Sequence, residues 1–401
     1  VTIGTHNAGT PPTQDGPVTE PRFADSEPSA RVSAVDIVTI PAAPVRPAGR
    51  RGSRARMALV AGMVLFFAGQ AAFSVAVRRD WIPVADPVYG GKFGLLREHP
   101  EFFAPSGPSA DRPVRVLALG SSRTQLGFDA GRFAGAVGPR TVAFNFGTPA
   151  GGPVTAALYW RRLLADGATP DCVFVEIHPG LVSQLTPPFE ARWLWGERLR
   201  ADEVAVVRNL GWPIASPPHL GWRGWTTAVY AYRSSFLNRY APVLLLSPFG
   251  FAVEVTGDEF GYLRGLDLPP ATRAKALERT RTQYAPVFPD YHVGGPGPAA
   301  LRDVLALCRE RGIRAALLVT PESTELRSWY GAAANDEFAA FARSLADEAD
   351  VPLFDARGWV PDDGFADGHH MTTPGAAAFT DRLAREAGPW IAQTPGVTPA
   401  P

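Results

Sequence analysis

The chain has 401 residues, 46% of them hydrophobic and 19% charged, with 39 basic and 39 acidic side chains. That apolar content builds a sizeable core and excludes a wholly disordered chain, and the even charge balance leaves no footprint for nucleic acid as a partner. Cys172 and Cys308 are the only cysteines and no Cys/His cluster has zinc-ligand spacing, so no structural metal is expected.

Residues 1–56 hold eight prolines and one aromatic residue, Phe23, without hydrophobic periodicity, and are predicted to be a disordered tail. Residues 57–77, "MALVAGMVLFFAGQAAFSVAV", form 21 positions without a charge, long enough to span a bilayer. Arg46, Arg50, Arg51, Arg54 and Arg56 precede them and Arg78 and Arg79 follow. The positive-inside rule then keeps the tail in the cytoplasm and sends everything after residue 78 outside. The run is too uniformly apolar for a core helix; a cleaved signal peptide ending at Ser74-Val75-Ala76 is the alternative. Residues 78–110 are Pro/Gly-rich and read as a juxtamembrane linker.

After that the pattern changes. "VRVLALG" (114–120), "TVAFNFG" (141–147), "CVFVEIH" (172–178), "IRAALLVT" (313–320) and "VPLFD" (351–355) are short apolar runs ending in small or polar residues. Helical patterns lie between most of them, clearest at Leu301, Val304, Leu305 and Cys308, spaced i, i+3, i+4, i+7. Continuous apolar strands alternating with amphipathic helices predict an α/β fold, a three-layer sandwich around a central parallel five-stranded sheet. The third and fourth strands lie about 135 residues apart, far more than a crossover helix needs. Residues 181–295 are therefore an insertion, and the catalytic domain comprises 111–180 and 296–395. The insertion holds Trp193, Trp195, Trp212, Trp222 and Trp225; core packing explains these more simply than stacking on sugar rings.

Ligands of parallel sheets bind beyond the carboxyl ends of the strands, where Gly120, Ser121 and Ser122 stand. A serine that attacks a carbonyl needs a base, a group that orients the base, and donors for the oxyanion. "FADGHHMTTPGAAAFTDRL" near the C-terminus offers Asp367 and His370, three apart in a Gly-containing loop, before a helix predicted to be capped by Thr373 with Pro374 in its first turn. That spacing lets the carboxylate hold one ring nitrogen and leaves the other free; His369, one residue off, is expected to point elsewhere. Arg123 fits a structural ion pair or an anchor for an anionic substrate group. Glu176 and His178 share a strand face near its end, as a polar pair or as support for the site. A phosphate loop lacks its lysine, and the Gly-x-Ser-x-Gly elbow fails at Thr124.

These residues resemble the motif blocks of the SGNH (GDSL-like) hydrolase and acyltransferase superfamily. The resemblance covers about 111–180 and 296–390. It implies a flavodoxin-like sheet with Ser122 as nucleophile, Ser121 in place of the usual aspartate, and Asp367 and His370 completing a triad. "NFGTPAGG" (145–152) stands at the second block, so Gly151 or Gly152 would join the Ser122 N–H in the oxyanion hole, with Asn145 among the supporting residues. The third block departs from the family: "EIHPG" (176–180) replaces Gly-x-Asn, leaving either His178 or backbone groups alone as donors. Gly-Ser-Ser without that asparagine resembles the membrane-anchored bacterial branches that handle acyl groups on cell-envelope polymers, as in D-alanyl transfer to teichoic acids or O-acetylation of exopolysaccharides. Implied are a serine esterase or O-acyltransferase outside the cytoplasmic membrane, an acylated carbohydrate or other ester as substrate, a multi-span membrane acyltransferase as a possible partner, and no metal or cofactor. The alternative is a catalytically silent scaffold of an envelope polysaccharide complex.

Overall fold

The computed structural model describes residues 49–79, 81–82, 84–105, 112–185, 190, 194, 198–200, 202–214, 222–241, 244, 257–265 and 267–393. The expected tail up to residue 48, Trp193 and Trp195 lie outside the described residues. The chain divides into two compact units, Val1–Met57 and Ala58–Pro401, and the described part of the first is the opening of helix α1 (Gly49–Arg78). Residues 49–56 are thus helical, not disordered: four of the eight are arginine, a good helix former, and the apolar run that follows continues the same helix. Residues 52–78 of α1 are long and apolar enough to cross a membrane.

The expected linker also holds structure. Asp86 accepts the Tyr89 N–H and caps α2 (Pro87–Leu96). Tyr89, Leu96 and Phe102 are buried in the core, so this stretch packs as part of the domain. The α/β succession follows: β1 (Val114–Gly120), α3 (Ser122–Gly127), α4 (Ala130–Val137), β2 (Thr141–Gly147), α5 (Pro153–Ala165) and β3 (Cys172–Ile177). The insertion contributes α6 (Glu203–Asn209), α7 (Trp222–Thr226), α8 (Ala228–Ala231), α9 (Arg233–Tyr240) and α10 (Pro270–Tyr284). The chain closes with α11 (Pro296–Glu310), β4 (Arg314–Val319), α12 (Thr324–Ala349), β5 (Leu353–Asp355) and α13 (Thr373–Ala392).

All five strands are parallel, in the order β2-β1-β3-β4-β5. Successive strand side chains face opposite ways and fill two cores. Leu117, Leu119, Val173 and Val175 meet α5, α11 and α12, with Trp160 fully buried among them. Val116, Ala118 and Phe174 meet Phe128, Phe133 and Phe379 of the opposite helical layer. This is the expected three-layer α/β sandwich. The insertion is not a separate body: Val204, Val207, Trp212 and Tyr284 join the first core. Both cysteines are buried and neither forms a disulfide among the described residues. Because the chain runs from β1 to β2 and then back past β1 to β3, a crevice opens above the ends of β1 and β3.

Candidate active site

The two adjacent serines at that crevice have different surroundings. Ser121 caps α3, its Oγ accepting the Arg123 N–H at 3.1 Å and donating to Glu176 Oε1 at 2.8 Å. Glu176, buried at the end of β3, accepts further bonds on Oε2 from the Ser121 N–H and the Thr124 hydroxyl, both at 2.6 Å. One carboxylate thus fixes the whole strand-to-helix turn. Glycine is required before it, since a Cβ on Gly120 would lie 2.3 Å from Glu176 Oε2. Ser122, the first residue of α3, is left partly exposed.

Across the crevice, the loop before α13 is curled by Gly368, whose φ of 89° favours glycine. The curl brings the His369 and His370 N–H groups onto Asp367 Oδ1 at 3.2 and 2.8 Å. Asp367 Oδ2 lies 2.8 Å from His370 Nδ1, and His370 Nε2 lies 2.8 Å from Ser122 Oγ. Burial raises the Asp367 pKa, but the neighbouring His369 and His370 and the hydrogen bonds from His370 outweigh it and hold the carboxyl below its usual range. The cap of α13 is Thr372, one residue earlier than expected, accepting the Gly375 N–H at 3.2 Å.

Ser122 and His370 border a cavity of about 250 Å³ whose wall includes Ala150, Gly151, His178, Leu181, Tyr284 and His369, with Asp367 behind the His370 ring. His369 departs from expectation. Its ring lies 3.6 Å from that of His370, centroid to centroid, because the left-handed Gly368 sets neighbours side by side rather than on opposite faces. Burial, then the adjacent His370, keep its pKa well below the imidazole range.

The glycine block also differs in detail. The Gly151 N–H lies 3.2 Å from Thr148 O, and the Gly152 N–H turns to the buried Glu190 carboxylate, away from the cavity. Ala150, immediately before them, has a left-handed backbone with φ 50°. Among the described residues, the N–H groups of Ser122 and Ala150 have no protein acceptor. His178 is not poised as a replacement donor. Its Nδ1 accepts the Gly180 N–H at 3.0 Å and its Nε2 faces Glu322 Oε1 at 3.3 Å. Burial first, then the charge of Arg123, push its pKa down to about 4, so the ring is neutral.

Arg123 is buried and holds α3 to the end of β4, with Nη2 donating to Thr320 O and Pro321 O at 3.2 and 2.7 Å and Nη1 3.8 Å from Glu322 Oε1. Asn145 does not reach the cavity: its amide donates to the carbonyls of Thr124, Gln125 and Phe128, and its Oδ1 accepts the Gly147 N–H. Tyr284 and Leu181 come from the insertion, which walls the cavity. Sequence reasoning missed both, since neither lies in an apolar run or an amphipathic pattern. Ligand atoms of Asp367, His369 and His370 lie within 4.8 Å of one another, so this corner also has the donors to take a transition-metal ion.

No family model matches the chain, and no curated protein matches it. Solved structures similar to it include a protein assigned as an acylhydrolase from Bacteroides fragilis, 11% identical with a TM-score of 0.32 over 70% of this chain and 91% of that one. A carbohydrate acetylesterase from Sinorhizobium meliloti is 11% identical at a TM-score of 0.30, over 69% of this chain and 99% of its own. An extracellular lipase from Streptomyces rimosus is 13% identical at 0.28, over 68% and 99%.

Proposed function

We propose that this chain is an extracytoplasmic serine esterase or O-acyltransferase, held at the membrane by α1 and acting on an acylated cell-envelope carbohydrate or a similar ester. The observation that carries the reading is the unbroken hydrogen-bond path from Ser122 Oγ through His370 to Asp367, built from residues 248 positions apart. Ser122 Oγ attacks the acyl carbonyl as its proton passes to His370 Nε2. Asp367 stays ionised, holds Nδ1–H and stabilises the imidazolium. The tetrahedral oxyanion is received by the N–H groups of Ser122 and Ala150, which have no protein acceptor among the described residues. Collapse breaks the ester C–O bond, and His370 returns the proton to the leaving alcohol. Water, or a carbohydrate hydroxyl, then gives a proton to His370 and attacks the acyl carbonyl; the Ser122 Oγ–acyl bond breaks and His370 passes that proton to Ser122 Oγ.

A fluorophosphonate probe tests this on the full chain in lipid nanodiscs. Wild type becomes labelled; Ser122→Ala does not, and His370→Ala loses on the order of 10⁴–10⁶-fold in rate. The missing third-block asparagine favours a second reading, a silent scaffold, which predicts no labelling of the folded wild-type chain. Following acyl product with and without a carbohydrate acceptor, and with a multi-span membrane acyltransferase as partner, separates hydrolysis from transfer.

A further inference from the structure

The insertion carries a surface that this chemistry does not use. Along α1, Leu59, Val64, Leu65 and Phe66 are exposed, whereas Gln70, Ser74 and Val77, at helical spacing on one face, are buried. They are buried by the insertion helices. The Phe73 ring lies 6.5 Å from that of Tyr232 and 6.2 Å from that of Phe236, and Gln70 Oε1 accepts the Val229 N–H at 3.0 Å. Val77, Val84 and Tyr232 form a small core of their own.

Length then decides where this junction sits. At 1.5 Å per residue, residues 57–77 cover about 30 Å, the thickness of a bilayer's hydrocarbon core, while residues 58–69 cover only about 18 Å. Extending the span backwards would bury Arg50, Arg51, Arg54 and Arg56. α1 therefore crosses only if residues 70–77 lie at membrane depth, and the helices docked on them descend to the same depth.

The surfaces of those helices suit that position. Trp81, Trp225, Val229, Tyr230, Phe236 and Tyr240 are exposed, Trp81 by 74% and Tyr230 by 66%. Tryptophan and tyrosine belong where an apolar body meets a wet edge. The Val229 N–H, near the start of α8, is satisfied by Gln70 rather than by water, as hydrocarbon requires. Guanidinium groups stand at the aromatic rim: Arg78 lies 4.5 Å over the Trp225 ring and Arg233 lies 3.8 Å over Tyr230. Long cationic side chains there reach towards phosphates while their stems cover apolar surface.

We infer that α7, α8 and α9, together with Trp81, form a collar embedded in the interfacial layer of the leaflet at the C-terminal end of α1, its arginines facing anionic lipid headgroups. The inference rests on α1 being a membrane span and does not depend on the chemistry of Ser122.

Variants of the full chain that each add one cysteine to the native two, in phosphatidylcholine nanodiscs with or without phosphatidylglycerol, test it with a water-soluble maleimide. Tyr230→Cys and Tyr240→Cys probe the collar, Val64→Cys the span, and Glu310→Cys, exposed at the end of α11, the aqueous reference. Buried Cys172 and Cys308 stay unlabelled in a folded variant and report folding in each sample. The collar predicts labelling of both collar variants about tenfold or more slower than Glu310→Cys, and slower still with phosphatidylglycerol. Labelling of both as fast as Glu310→Cys, with Val64→Cys protected, overturns the collar and leaves the anchor standing. Rapid labelling of Val64→Cys overturns both. Equal protection with and without phosphatidylglycerol overturns the headgroup contact of the arginines.

Discussion

Ser121 and Ser122 are neighbouring hydroxyls with separable effects. Ser121→Ala removes a helix cap and the bond to Glu176, and should lower stability by about 1 kcal/mol while Ser122 still reacts with a fluorophosphonate. Ser122→Ala should leave the melting temperature almost unchanged and abolish labelling, so paired melting and labelling assays distinguish the two. The imidazole pair makes a second prediction. Zinc ions should inhibit reversibly by drawing Asp367, His369 and His370 away from the proton path, chelation should restore activity, and His369→Ala should raise the inhibitory concentration about tenfold or more. At this scale the sequence was legible where the signal was local: Gly-Ser-Ser after an apolar run, and Asp-x-x-His before a proline-marked helix. It was illegible where a distant residue decides. Gly152 turns away because Glu190, 38 positions on, takes its N–H, and Glu176 serves Ser121 across 55 positions. His369 was misplaced because a one-residue offset reverses direction only in an extended chain, and Gly368 curls this one.

Among the elements, α2 shows what composition hides. Its prolines and glycines read as linker, yet Lys92 on it is fully buried and donates through Nζ to Asn145 O at 3.0 Å and to Gly261 O. Burial pushes its pKa down to about 7, against a smaller opposing effect from Asp258. The unfolded chain keeps the lysine proton up to its ordinary value near 10.5, while the folded chain releases it above about 7. Between these values the unfolded state binds more protons, so this lysine makes stability rise with pH and the gain is lost as pH falls back towards 7. Melting temperatures from pH 7 to 9.5 should climb in wild type and flatten in Lys92→Met; an identical slope in both would refute the assignment. The strands were easier to read than the helices outside the sheet, because burial on both faces makes a parallel strand a continuous apolar run. All five lie where those runs placed them, shortened by at most two residues.

For the molecule as a whole, the sheet's centre ties the early and late parts of the chain together. Phe174, on the central strand, meets Phe128 and Phe133 from the first helices at 6.1 and 5.7 Å, and Phe354 and Trp390 from the last elements at 6.0 and 5.7 Å. Phe174→Ala should cost about 3–5 kcal/mol, read from denaturant midpoints, and a cost below about 1 kcal/mol would mean that the two ends do not close on one core. The reversal of strand order above β1 and β3, foreseen only as a sheet edge, is what lets the first and last βα units share a crevice.

That arrangement also sets a clock. Ser122 leaves the ribosome 248 residues before His370, and at about 5–20 residues per second the interval is on the order of 10–50 s. During it the hydroxyl has no base, so a nascent or prematurely terminated polypeptide cannot attack esters in the compartment where it is made.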